Sequence, residues 1–283
     1  MITNCYCWIR KLSEAELDSL SDGGIPVKAI GGYSFSYQEG TPQAEIAETV
    51  VKQAQKNGAT VIMNYINSFS DSEIEQARWL HLRSIFAGFE CCNKKWPYHS
   101  ECLRGDQVID GKKIGVQHEH LIQVASFEAK RSPKWKKERQ FCSNYSSAMT
   151  ALFCSDQAKE MIEQNGLTGA QFSTVFHCNS TQVLDNLWQL TAVEVEDFLM
   201  PNQDVIVWEC ESCGRKRYSA RNGKGAFGIQ ENNVPRGLDF FQSFPVVGAD
   251  IGYPYLVISA KACRALKQAG ITRGLVFEPM LSK

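Results

Sequence analysis

Apolar residues recur with helical spacing in the first part of the chain and predict two helices there. Ser13 and Glu16 have the spacing of a capping box, which predicts a short helix that ends at Gly23. Thr41-Pro42 begins a second helix, because proline is favoured at the first helical position and apolar residues then recur every four residues. Asn57-Gly58 is typical of a helix end, so this helix is expected to stop there.

The pattern between residues 60 and 90 predicts one buried strand followed by a third helix. The strand covers residues 60–66, which are apolar and rich in β-branched side chains. The helix begins at the cap Ser70 to Glu73 and directs four apolar residues inward, namely Ile74, Ala77, Leu82 and Ile85. Residues 1–90 are therefore predicted to form an N-terminal α/β unit.

The second half of the sequence contains an internal repeat, in which residues 152–168 match residues 256–272. Five identities lie at equivalent positions, and they are Ser155/Ser259, Ala158/Ala262, Gln164/Gln268, Gly166/Gly270 and Thr168/Thr272. Each copy predicts a strand, a serine N-cap, an amphipathic helix, a glycine after the helix and a further strand. We therefore expect an α+β fold in which the N-terminal unit precedes two related modules, residues 91–180 and 181–283.

Composition and charge predict an ordinary globular protein of the cytoplasm. The 283 residues are 43% hydrophobic and 22% charged, and the net charge is -1. A charge near zero gives no general attraction to nucleic acid or to anionic lipid. No apolar run approaches the roughly 20 residues that a membrane-spanning helix needs, and the N-terminus lacks a signal-peptide pattern. We expect no membrane partner.

The chain contains 11 cysteines, a high count for its length. In a reducing cytosol such a count predicts buried thiols and a metal site rather than a disulfide framework. Four cysteines in apolar surroundings are expected to behave as small buried hydrophobic residues, and they are Cys142, Cys154, Cys178 and Cys263.

The motif Cys210-x-x-Cys213-Gly214 is the strongest chemical signal in the sequence. Two cysteines at this spacing in a tight turn direct both thiolates at one cation, which is half of a tetrahedral zinc site. The repeat requires a counterpart upstream, and His99-x-x-Cys102 has the same spacing. We predict a structural Zn²⁺ held by His99, Cys102, Cys210 and Cys213, with Cys91 or Cys92 left open as a replacement for His99. Four protein ligands leave no position for a substrate.

The Cys210-x-x-Cys213-Gly214 knuckle, the repeat and the C-terminal run from Leu238 to Pro279 together resemble the double-CXXCG family of bacterial proteins. The resemblance covers about residues 95–280, and the sequence departs from the family pattern in having His-x-x-Cys at its first knuckle. Members of that family are associated with immunity to polymorphic toxins. The resemblance implies a non-enzymatic immunity protein that occludes a cognate toxin domain, with neither nucleic acid nor a small-molecule substrate as its partner.

Two polar segments are candidate toxin-binding surfaces, the basic run 130–139 and the glycine-rich stretch 221–236. The candidate residues are Arg131, Lys134, Trp135, Arg221, Lys224, Phe227 and Arg236. A zinc hydrolase, or an enzyme that reverses a toxin's modification, is one alternative and requires a metal with three protein ligands and a water. A zinc-stabilised nucleic-acid-binding module is another alternative and predicts an affinity that falls steeply with salt.

Overall fold

The computed structural model has a mixed α+β fold and describes residues 2–29, 31–89, 98–100, 107–109, 112–114, 121–123, 127–144, 151–200, 205–209, 216–220, 228–243 and 255–282. The chain divides into two compact units, and their boundary in the described residues lies between Glu73 and Ile74. Within the described residues, no helix is long and apolar enough to cross a membrane.

The first unit is a four-stranded antiparallel sheet with two helices against one face. Its elements are β1 (Ile2–Ile9), α1 (Glu14–Asp22), β2 (Lys28–Ala29), β3 (Tyr33–Gln38), α2 (Pro42–Lys56) and β4 (Val61–Ser68). The strand order β2-β3-β1-β4 is the ferredoxin-like arrangement of two split βαβ units. An α+β unit thus replaces the predicted α/β unit, because every strand pair in it is antiparallel.

Local signals in the first unit give the predicted helices. Ser13 and Glu16 form the capping box of α1, and Ser13 Oγ accepts a hydrogen bond from the Glu16 N–H at 3.3 Å. Proline stands at the first position of α2, as predicted. Cys5, Cys7 and Ile9 alternate along β1 and are buried together with the apolar face of α2.

The predicted third helix is much shorter than expected. It begins at the predicted cap but forms only α3 (Asp71–Gln76), and the chain continues as β5 (Trp79–Ser84) and β6 (Ala87–Phe89). Leu80 and Leu82 share one face of β5, which is the two-residue period of a strand. Ile85, predicted to point inward, is 68% exposed.

The second unit contains β5, β6 and all later elements. These are β7 (Tyr98–Ser100), β8 (Gln107–Ile109), β9 (Lys112–Ile114), β10 (Leu121–Gln123), β11 (Phe127–Ala129), β12 (Phe141–Asn144), β13 (Leu152–Cys154), α4 (Asp156–Gln164), β14 (Ala170–His177), β15 (Val183–Val195), β16 (Leu199–Met200), β17 (Val205–Glu209), β18 (Lys216–Ala220), β19 (Gly228–Ile229), a 3₁₀ turn (Glu231–Asn233), β20 (Phe240–Ser243), β21 (Leu256–Ser259), α5 (Ala260–Gln268), β22 (Leu275–Pro279) and β23 (Leu281–Ser282). A ten-stranded mixed sheet runs in the order β22-β5-β21-β20-β15-β13-β12-β6; β14 also pairs with β15, and β11 pairs with β14.

The strand–helix–strand structure predicted for the repeat is confirmed at both places. The first repeat is β13-α4-β14 and the second is β21-α5-β22. Ser155 Oγ accepts the Ala158 N–H at 3.2 Å, and Ser259 Oγ accepts the Ala262 N–H at 3.1 Å. After the helices, Gly166 and Gly270 have φ values of 58° and 67°, which explains the glycine at each position.

The strand that lies between the two strands of each repeat comes from a different part of the chain. In the first repeat it is β15, which directly follows β14, so that Leu190 lies opposite both Leu152 and Phe172. In the second repeat it is β5, and Leu80 lies opposite Ile258. The end of β15 then pairs in parallel with β20, and β6 pairs in parallel with β12. Each repeat is thus joined to the other by a strand extension.

One continuous core lies under both helices of the second unit. It combines residues of α4 and α5 with the inward side chains of β5, β13, β20 and β21. The opposite face of the sheet carries two separate clusters, one around Phe241 and one around Phe153. Phe241 contacts Trp79 and Phe198 edge-on, and Phe153 contacts Phe127 in the same way.

The turn after α4 packs tightly against β20. Thr168 O accepts the backbone N–H groups of Asp239 and Phe240 at 3.1 and 2.9 Å. Gly169 has φ of 87°, and a Cβ at this position would lie 2.0 Å from the carbonyl oxygen of Phe240. Only glycine fits this contact, because both the backbone conformation and the space exclude a side chain.

We therefore expect Gly169→Ala to lower the free energy of unfolding by about 3 kcal/mol or more, from strain and overlap combined. Gly237→Ala is the matched control, because Gly237 also has a positive φ of 84° but has open space around its Cβ position. It should cost only about 1–2 kcal/mol. Urea denaturation of both variants measures the difference, and equal losses would contradict the close contact.

Candidate functional site

One of the four predicted zinc ligands lies in the described part of the chain. His99 is the central residue of β7 and pairs with Ile122 of β10. Cys102, Cys210 and Cys213 lie outside the described residues, as do Cys91 and Cys92. Strands β17 and β18 form a hairpin, and the pair Glu209 and Lys216 closes it around the segment that contains both cysteines of the knuckle.

The two predicted ligand pairs occupy corresponding places in the chain. The stretch with His99 and Cys102 comes after β6, and the stretch with Cys210 and Cys213 comes after β15, β16 and β17. Both β6 and the end of β15 are the strands that pair in parallel with the other repeat. Among the residues that the structure describes, no group of three or more His, Cys, Asp or Glu side chains is placed to hold a metal ion.

Three of the four cysteines predicted to be buried and apolar are so. Cys142, Cys154 and Cys263 are buried free thiols, and burial raises the pKa of each. The prediction is wrong for Cys178, because this residue is half-buried and disulfide-bonded.

The basic run 130–139, called here the basic loop, is firmly anchored to the sheet. Trp135 Nε1 donates to the Asn186 carbonyl at 2.7 Å, and Ser132 Oγ donates to the Asp185 carbonyl at 2.6 Å. Pro133 is buried between these two anchors. At the end of the loop, the Arg139 guanidinium lies 3.5 Å from the centre of the Phe86 ring.

Four cations of the basic loop face solvent. They are Arg131, Lys134, Lys136 and Lys137, and none has an ion-pair partner within the described ranges. The structure therefore brings three predicted binding residues, Arg131, Lys134 and Trp135, into one ordered loop. A fixed indole flanked by exposed cations can meet an acidic surface with little ordering cost.

The other predicted binding segment is described only at its end. Arg221, Lys224 and Phe227 lie outside the described residues. Arg236 is exposed and lines a cavity of about 670 Å³ together with Arg78 and Lys261. No contact within the described part of the chain joins Arg236 to the basic loop.

A buried ionic cluster in the second repeat was not anticipated from the sequence. His81 Nδ1 lies 2.7 Å from Glu278 Oε2, and Arg83 donates to Glu278 Oε1 at 2.9 and 3.0 Å. The ring of Tyr255 stacks on the His81 ring at 3.6 Å. Burial opposes ionisation of Glu278, but its hydrogen bond with His81 and the positive charges of His81 and Arg83 lower its pKa to about 2.

The first repeat has uncharged residues at the positions that this cluster occupies in the second repeat. His81 and Glu278 lie opposite each other, as Gln189 and Ser173 do in the first repeat. His81 lies opposite Val257 on its other side, and Gln189 lies opposite Phe153, which is the residue equivalent to Val257 in the first repeat. The sequence repeat alone could not align these positions, because β5 lies far upstream of the second repeat.

No protein-family model matches this chain, and no curated protein matches it either.

We expect Glu278→Gln to flatten the loss of stability in acid. The folded pKa of about 2 is below the ordinary value of 4.5, so the ionised carboxylate stabilises the fold above pH 4.5. That stabilisation disappears as the pH falls from 4.5 toward 2. Thermal melting between pH 7 and pH 2.5 should show a steeper decline for the parent protein than for the variant.

Glu160→Gln is the control, because it removes an exposed carboxylate from α4. Its melting curve should follow that of the parent across the same pH range. If the melting temperatures of the parent and Glu278→Gln fell equally as the pH is lowered, the assigned role of the His81–Glu278 pair would be contradicted.

Proposed function

We propose that this chain is a non-enzymatic immunity protein that binds an acidic surface of a cognate toxin domain and occludes it. The observation that carries the proposal is the basic loop, which holds its cations on an anchored backbone. Three contacts hold this backbone in place: Pro133 is buried, the Trp135 indole donates a hydrogen bond, and the Arg139 guanidinium packs on an aromatic ring. All three anchors lie in this one loop.

The energetics of association favour such a surface. Ordering a flexible loop and its long side chains on binding costs free energy, and a loop that is already fixed avoids the backbone part of that cost. Exposed cations add little to affinity one by one, but together they increase the rate of encounter with an acidic partner. The net charge of the chain is -1, so the attraction is local to this loop.

The proposal includes two related modules joined by one structural zinc ion. It is supported by the corresponding positions of the two ligand pairs, each after a strand that crosses to the other repeat. A metal ion bound by both stretches would cross-link the two repeats and contribute its binding free energy to folding. The metal would have no role in the reaction of the toxin.

The test of immunity is a rescue assay with the product of the adjacent reading frame. That product is expressed inducibly in cells with and without this protein, and the pair is then co-purified. We expect restored growth together with a stable complex. We expect the triple variant Arg131→Glu, Lys134→Glu and Lys137→Glu to lose rescue and to weaken the complex by about tenfold or more, because it reverses three exposed charges.

The matched control reverses three exposed lysines of the first unit, Lys11, Lys28 and Lys56, and changes the net charge equally. It should rescue as the parent does. Rescue without a complex would contradict occlusion and support an enzyme that repairs the toxin's target. Binding of the basic loop to a random DNA duplex, with an affinity that falls steeply between 50 and 200 mM salt, would instead support the nucleic-acid alternative.

For the metal, we expect the purified protein to contain one zinc ion per chain and Cys210→Ser to lose it. The same variant should melt at a clearly lower temperature, because metal binding is coupled to folding. Cys263→Ser serves as the control for loss of stability alone, since Cys263 is a buried free thiol of α5. It should lower the melting temperature and keep its zinc. Unchanged zinc content in Cys210→Ser would remove the knuckle as a metal site.

A further inference from the structure

Two loops occupy equivalent positions in the two repeats. Each loop leads into the strand that pairs with the first strand of its repeat. The basic loop leads into β12, and residues 230–238, called here the second loop, lead into β20. Each loop is followed by a residue that holds the serine cap of the adjacent helix. Ser155 Oγ donates to Gln140, and Ser259 Oγ donates to Asp239 Oδ1 at 2.7 Å. Gln140 and Asp239 are therefore structural counterparts.

In the first repeat this position is covered by an indole. Trp135 lies five residues before Gln140, and its Nε1 donates to the carbonyl of Asn186. Asn186 lies two residues before Trp188, which pairs with Cys154. The Trp135 ring is thus packed over the start of the central strand of its repeat.

In the second repeat the corresponding residue is Val234, whose smaller side chain is buried at the edge of a cavity. Val234 lies five residues before Asp239 and lines the cavity of about 670 Å³. Arg78, which also lines it, lies two residues before Leu80 and so corresponds to Asn186. Trp79 does not fill the space, because it is 8% exposed and packs edge-on against Phe241 in the core at 5.0 Å.

The cavity carries an excess of positive charge. Arg78 is paired with Glu231, and Lys261 bonds Asp239 at 3.0 Å and the Gly166 carbonyl at 3.3 Å. Arg236 is exposed and has no ion-pair partner among the residues described. Three cations and one carboxylate therefore line the walls, and the remaining walls include Val234 and Pro235.

We propose that this cavity receives an aromatic side chain of the toxin partner that stands next to an acidic residue. The aromatic ring would occupy the place that the indole of Trp135 covers in the first repeat, against Val234 and Pro235. The adjacent carboxylate would pair with Arg236, whose charge is unpaired within the described part of the chain. Identification of the toxin as the source rests on the proposed function. A buried aromatic anchor in such a pocket is typical of a binding hot spot.

The chemistry of the cavity can be tested without the partner, with indole-3-acetate as the probe. Isothermal titration should show saturable binding of this probe to the full chain. Tryptamine is a cation and indole-3-acetamide is neutral. Both should bind about tenfold more weakly than indole-3-acetate, because neither can form the ion pair with Arg236.

Two variants locate the probe. Val234→Trp places an indole at the position equivalent to Trp135 and should abolish probe binding. Arg236→Glu changes an exposed residue, so the variant should fold, and it should weaken indole-3-acetate by about tenfold while leaving indole-3-acetamide unchanged. Lys28→Glu reverses an exposed charge of the first unit in the same way and should leave probe affinity unchanged. Absence of probe binding, or equal binding by Arg236→Glu and the parent, would overturn the proposal.

The partner is tested in the co-purified complex from the rescue assay. Val234→Trp, provided that its melting temperature matches the parent, should lose the complex if the toxin's side chain occupies the cavity. A complex that survives Val234→Trp would overturn the toxin as the occupant. Failure of the neighbouring product to bind at all would contradict the proposed function, while the indole-3-acetate titration would still decide the chemistry of the cavity.

Discussion

The carboxylate of Asp239 connects the parts of the second unit that must come together. It accepts hydrogen bonds from Ser259 Oγ at 2.7 Å, from the Thr168 N–H at 3.1 Å and from Lys261 Nζ at 3.0 Å. Burial opposes its ionisation, but these donors lower its pKa. One side chain thus fixes the start of α5, the turn after α4 and the first residues of β20. The first repeat uses the neutral amide of Gln140 for the corresponding cap.

Local sequence signals predicted the helices of this fold, because caps and glycine stops act over a few residues. Ser13, Ser155 and Ser259 each cap the helix expected of them. The same reasoning failed at residues 77–85, where a short period-two pattern follows directly after a true helix start. Only the pairing of β5 with β21 and β22 decides that this segment is a strand, and those partners lie far along the chain.

The candidate site was predictable in part for a related reason. The basic loop stood out by composition, but its anchors Asn186 and Phe86 belong to other segments. The cavity beside Arg236 depends on Val234 standing where the first repeat has Trp135, which can be seen only when the two halves of the sheet are compared in space. The zinc ligands remain a prediction from spacing, since three of the four lie outside the described residues.

The two repeats also show which features the fold does not require. His81, Arg83, Tyr255 and Glu278 of the second repeat correspond to Gln189, Thr191, Ala151 and Ser173 of the first. The same strand arrangement therefore forms with or without a buried ionic cluster. The cluster is therefore an addition specific to the second repeat, where it makes stability depend on the ionisation of Glu278.

The position of β5 in the chain has a consequence for how the protein folds. His81 bonds Glu278 across 197 residues of sequence, so the central strand of the second repeat is synthesised long before its neighbours. The first unit has its own core and completes its sheet from nearby strands. During synthesis, both edges of β5 remain without their final partners until β21 and β22 have been made. Contacts of such high sequence separation slow folding and leave strand edges open to association with other chains until the last strands are made.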